Sequence, residues 1–135
     1  MSKVRLRITL TMDDLEATAH EYEAEWLETG NISRATYCPA ENGAGASEHL
    51  DFFRAGDGKL MTVRRIGPGV SMVFEQDKVL PGHIRTVAGD FPISTRTDLM
   101  AETLTDTGRR IELRYRLYLG MADRGECELV LEIMK

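Results

Sequence analysis

The sequence predicts an all-β fold, a single antiparallel up-and-down β-barrel of about eight to ten strands. Three observations predict it. Apolar residues recur with a period of two at both ends of the chain, where a helix would show 3.6. Turn-forming residues punctuate the middle at intervals of roughly 8 to 12 residues, the spacing of a sandwich or barrel. No segment carries the repeat of a long helix.

The elements follow in order. Val4, Leu6, Ile8 and Leu10 alternate with Lys3, Arg5, Arg7 and Thr9, giving one apolar and one charged face. A second run places His20, Tyr22, Ala24 and Trp26 on one side and Glu21, Glu23, Glu25 and Leu27 on the other. Turned near Asp14, the two runs form a hairpin in which Arg5 faces Glu23 and Arg7 faces Glu21. Such opposite-charge pairs stabilise by roughly 0.2 to 1 kcal/mol each. Asp13 to Ala19 has room for one helical turn. Shorter strands are expected at Glu48 to Arg54, Lys59 to Ile66, Val70 to Glu75, His83 to Val87, Phe91 to Arg96 and Asp98 to Leu104. Between them lie Gly56-Asp57-Gly58, Gly67-Pro68-Gly69, Pro81-Gly82 and Thr107-Gly108, all turn chemistry.

The last hairpin is the most sharply specified. A turn centred near Met121 pairs Arg116 with Glu126, Arg114 with Glu128 and Arg110 with Glu132. The same register stacks Tyr115 on Cys127, Leu113 on Leu129 and Ile111 on Leu131. A slip of one residue would bury every charge, so the hydrophobic pattern and the charge pattern select one alignment.

Bulk properties bound the function. At 135 residues the chain is expected to form one domain, 1–135, with a flexible loop over 39–47, where the residues are small and rich in glycine. A net charge of −5 argues against binding nucleic acid or an anionic membrane, since phosphate recognition requires a surplus of Lys and Arg. No apolar run is long enough to cross a bilayer, and the start of the chain lacks the continuous apolar stretch of a signal peptide. A cytoplasmic protein is expected. Cys38 and Cys127 are too few and too far apart for a disulfide framework or a zinc site.

The stretch Gly69-Val70-Ser71-Met72-Val73-Phe74-Glu75 resembles a signature of a bacterial family of unknown function, the YwiB-like proteins. So do Thr86 to Thr97 (TVAGDFPISTRT) and the closing pair Ile111 to Leu119 and Glu126 to Ile133. The resemblance covers Lys59 to Lys135 well and Val4 to Gly30 loosely. It implies a calycin-like barrel, of the lipocalin and fatty-acid-binding type, and supplies no catalytic residue.

Motifs for chemistry are sparse. There is no nucleophile elbow, phosphate-binding loop or dinucleotide fingerprint, and no cofactor is expected. His20, His49 and His83 show no metal-ligand spacing. The sharpest feature is Arg64-Arg65, because on a strand one of the two must face inward. Parity as read here puts Arg64 inside with His20, Tyr22 and Tyr115, beside Trp26, Met72 and Phe74. An inward arginine needs a carboxylate or an anionic ligand to offset its desolvation. The leading expectation is therefore a barrel that binds a small, partly apolar ligand with an anionic group, held by Tyr22, Trp26, Arg64, Tyr115 and His20. The alternative is a filled barrel that acts through its surface or as a homodimer, with Phe52 or Phe53 turned outward. An enzyme ranks third and would need His20 to meet Tyr115 or His83.

Overall fold

The computed structural model describes residues 2–13, 15–39 and 46–135. Ten strands make one closed antiparallel barrel: β1 (Ser2–Met12), β2 (Thr18–Thr29), β3 (Ile32–Tyr37), β4 (Glu48–Arg54), β5 (Leu60–Gly67), β6 (Val70–Glu75), β7 (Val79–Thr86), β8 (Gly89–Leu104), β9 (Gly108–Leu119) and β10 (Ala122–Met134). Each strand pairs with its neighbours in sequence, and β1 pairs with β10 to close the ring.

Both predicted hairpins are present in register. Arg5 lies opposite Glu23 and Arg7 opposite Glu21. Arg116 meets Glu126, Arg114 meets Glu128, Tyr115 meets Cys127 and Leu113 meets Leu129. The last hairpin reaches that register through a bulge between Asp123 and Glu126. Gly125 occupies it at φ 107, where a side chain would also strike the Asp13 carboxylate. Asp13 in turn accepts the Glu126 amide at 2.9 Å and donates its own amide to the Glu126 carbonyl at 2.7 Å, which fastens the end of β1 to β10.

Four local expectations change. The described residues between Asp13 and Ala19 make no helical turn; Asp13 takes a positive φ of 48, and β2 begins at Thr18 (Asp14 lies outside the described residues). Pro81-Gly82 runs inside β7 rather than ending a strand. Phe91 to Arg96 and Asp98 to Leu104 are one strand, β8, carrying a bulge between Thr97 and Leu99. β3 is an additional strand, and of the predicted loop over 39–47, residues 40–45 lie outside the described residues.

Leu6, Leu50, Phe52, Val63, Phe74, Ile111, Leu113, Leu129 and Leu131 fill the middle of the barrel and are sealed from solvent. Phe52 faces inward and its neighbour Phe53 outward. One seam is different. β6 and β7 share only the pairs Val70–Ile84 and Ser71–His83. Beyond them, side chains and turns take over: Thr95 donates to the Val73 carbonyl at 3.0 Å, Asp77 N–H to the Thr97 carbonyl and Thr97 N–H to the Lys78 carbonyl. At the end of the barrel where β1 starts, Arg54 grips Glu102 through both nitrogens at 2.5 Å, and Arg109 reaches the same carboxylate at 3.4 Å.

Candidate functional site

The arginine pair resolves in the opposite sense to the prediction. Val63 on β5 packs inward against Phe52 and Phe74, so Arg65 shares its face and Arg64 does not. Arg65 enters the interior between Leu50 and Met72 and points two nitrogens at Glu48 Oε2, each at 3.4 Å. The same oxygen accepts the Tyr37 hydroxyl at 2.7 Å. Glu48 lies over Gly67, whose missing side chain leaves it the space. Tyr37 packs against Tyr22 with ring centroids 5.0 Å apart and the rings tilted by 31°. Burial pushes the Tyr37 hydroxyl far above its ordinary range, so it remains a donor to Glu48. Burial opposes the charge on Arg65, but Tyr37, Glu48 and Tyr115 outweigh it and hold the guanidinium charged.

Sequence reasoning thus found the need for a carboxylate and assigned it to the wrong arginine. The missed residues are Arg65, Glu48 and Tyr37. A signal for Glu48 was present, because it shares the parity of Leu50 and Phe52 and so had to face inward with them.

The other candidates scatter. Trp26 is inward but sits at the far end, where its indole donates to Glu28 at 3.0 Å and its ring lies 5.9 Å from Phe52. Tyr115 is buried mid-barrel against Phe74 at 4.8 Å, directly across the ladder from Cys127. His20 is exposed near the opposite end, 6.3 Å from Tyr22 between ring centroids. His83 is exposed on the outer side of β7, facing away from the interior in which the enzyme reading would have it meet His20. Among the described residues no group of three His, Cys, Asp or Glu could hold a metal.

The interior instead opens where β1 ends. There the inward faces of β1, β7, β8 and β9 present Met12, Ile84, Phe91, Ile93, Leu117 and Leu119 around a cavity of about 700 Å³, rimmed by Asp13, Thr86, Asp123, Arg124 and Gly125. Two residues deeper on the same faces, Thr95 and Tyr115 are buried with Phe74 and Cys127. None of the five sequence-predicted ligand residues lines the cavity.

Comparison with known proteins places the fold. The structure is similar to the crystal structure of the YwiB protein from Bacillus subtilis, with a TM-score of 0.68, 13% sequence identity, and coverage of 96% of this chain and 90% of that one. No curated protein matches the sequence. No helix among the described residues is long and apolar enough to cross a membrane. Residues 3–131 match the model of the domain of unknown function DUF1934, and the chain belongs to that family.

Proposed function

We propose that this protein is a cytoplasmic binding protein for a small, predominantly apolar and uncharged molecule, taken up in the cavity beside β1 and β7 to β9. One observation carries the reading. A barrel sealed by packed side chains through its middle leaves about 700 Å³ open at one end, behind six apolar side chains. Ligand sites are typically concave, mainly apolar and of roughly 300 to 1,000 Å³. Residues lining packed cores do not ordinarily remain half-exposed around a hollow of that size.

The charge of the ligand follows from Arg65. An inward arginine would demand an anion only if it lacked one, and Glu48 with Tyr37 already supplies it. A second carboxylate beside Glu48 would meet like charge at low dielectric. The rim offers Asp13, Asp123 and Thr86 to a hydroxyl or amide on the ligand.

Titration with a naphthalene dye whose emission rises in apolar surroundings tests the proposal. Saturable one-to-one binding is expected, and Leu119→Trp, which fills the cavity from the half-exposed end of β9, should weaken it about tenfold or more while the melting temperature holds. Equal binding by the variant would overturn the reading.

A further inference from the structure

The outer wall of β3, β4 and β5 carries a second feature, independent of the cavity. Arg34, Asp51 and Arg64 lie directly opposite one another across the three strands. Asp51 is 0% exposed although it faces outward, because a guanidinium covers it from each side. Arg34 donates from Nε at 2.6 Å and from Nη2 at 3.2 Å; Arg64 donates from Nη2 at 2.8 Å and from Nε at 3.3 Å. His49 Nε2 stands 3.5 Å from the same carboxylate, and Arg64 also lies over the Phe53 ring at 5.2 Å. Burial lowers the His49 pKa, so the imidazole adds no charge near neutral pH.

Two arginines therefore share one carboxylate and leave a surplus positive charge in a chain whose net charge is −5. Each guanidinium has five N–H donors and spends two on Asp51, and no other acceptor among the described residues takes the rest. The arginines on the opposite wall are differently placed. Arg110 has Glu112 at 3.0 Å, Arg114 has Glu126 at 3.5 Å and Arg116 has Asp123 at 3.0 Å, one carboxylate apiece.

The surroundings differ as well. Beside Arg34 stands Leu27, 44% exposed, and beside Phe53 stands Ile32, 43% exposed. Arginine, an aromatic ring and aliphatic side chains on a flat sheet face are the composition of a protein-binding surface. Arg34, Asp51 and Arg64 lie on the outer face of the barrel wall, where a small molecule would find little to enclose it. Two arginines on an acidic protein are also too few to hold a nucleic-acid backbone.

We infer that this wall docks an acidic segment of a partner protein, in which glutamate or aspartate side chains alternate with apolar ones. The carboxylates take the free edges of Arg34 and Arg64, and the apolar residues cover Leu27, Ile32 and Phe53. Asp51 is the positioning residue, holding both forks in place before the partner arrives.

Two synthetic peptides test this, acetyl-Leu-Glu-Leu-Glu-Leu-amide and its glutamine counterpart, titrated while the side-chain Nε–H resonances of Arg34 and Arg64 are followed by NMR. The glutamate peptide is expected to bind about tenfold more tightly, with saturating shifts at both arginines. That preference should vanish in Arg34→Gln and Arg64→Gln, survive in part in Arg64→Lys, and remain intact in Arg116→Gln on the opposite wall. Each glutamine variant leaves Asp51 one arginine, and a retained cooperative melting transition confirms that the barrel persists. Equal affinity for the two peptides, or a preference that outlives both substitutions, would overturn the inference. Concentration-dependent sedimentation abolished by Arg64→Gln would overturn it too, in favour of a second copy of this chain on the wall.

Discussion

The wall of β1, β10 and β9 and the seam between β6 and β7 close the same barrel by different means. In the first, long strands pair antiparallel over most of their length, interrupted by one bulge at Asp123 to Glu126, with a packed apolar face inside and alternating charges outside. In the second, two residue pairs form and the remaining closure falls to a threonine hydroxyl and turn amides. Stability should therefore concentrate in the first wall. The cavity lies at the boundary, lined from β1 and β9 on one side and β7 and β8 on the other. The binding role proposed above would need such an uneven barrel, because the elements that admit a ligand must open more cheaply than those that hold the fold.

The largest expected effect separates the core of that wall from the cavity. Leu131 on β10 is fully buried opposite Ile111 and Ile8, so Leu131→Ala should lose apolar burial and leave a void, costing about 3 to 4 kcal/mol. Ile84→Ala enlarges a space that is already open and half-solvated, so about 1 kcal/mol is expected. Urea unfolding of both variants checks the pair. Equal losses would mean that the cavity wall is packed as tightly as the core.

The same comparison explains what could be read from the sequence. The first and last hairpins were legible because two independent patterns, apolar parity and opposite charge, agreed over long strands. β3 carried neither. It is six residues long, turns Ser33 and Ala35 inward, and presents Arg34 outward, so its alternation has little contrast. Arg64 and Arg65 were ambiguous for a related reason. Leu60 and Ile66 share the parity of Arg64, while Met61 and Val63 share that of Arg65, so the strand alone is balanced. The tie is broken by contacts from β4 and β6, through Phe52 and Phe74. The cavity was illegible altogether. Leu, Ile, Met and Phe line both a filled core and an empty pocket, and only three-dimensional spacing tells them apart.

An intermediate effect belongs to the outer arginine pair. Burial pushes the Asp51 carboxyl upward, but hydrogen bonds from Arg34 and Arg64 outweigh it and hold its pKa below the ordinary carboxylate range. A depressed folded-state pKa contributes stability that is full above the unfolded-state value and lost as pH falls through the folded one. Asp51→Asn should therefore cost about 2 kcal/mol at pH 7, discounted from the cost of a fully buried pair because both arginines are partly solvated. The gap between wild type and variant should close as pH falls below about 4. Thermal melts across pH 3 to 7 measure it, and a gap that widens in acid would contradict the assignment of Asp51 as the ionised partner.

The smallest effect is the most discriminating, because one substitution made at two neighbouring inward positions of β8 should have opposite signs. Thr95 is buried and spends its hydroxyl on the Val73 carbonyl, where backbone pairing between β6 and β7 has run out. Thr95→Val keeps the shape, removes the donor and leaves that carbonyl short of a partner, so a loss of about 1 kcal/mol is expected. Thr97 is buried as completely, yet its hydroxyl has no hydrogen-bond partner among the described residues. Thr97→Val removes a polar group whose desolvation is uncompensated, so the barrel should gain about 1 kcal/mol. If Thr95→Val proved neutral, the seam would not depend on its side-chain bond. If Thr97→Val proved destabilising, the hydroxyl would have to be meeting a partner inside the barrel, and the interior beneath the cavity would be wetter than its packing implies.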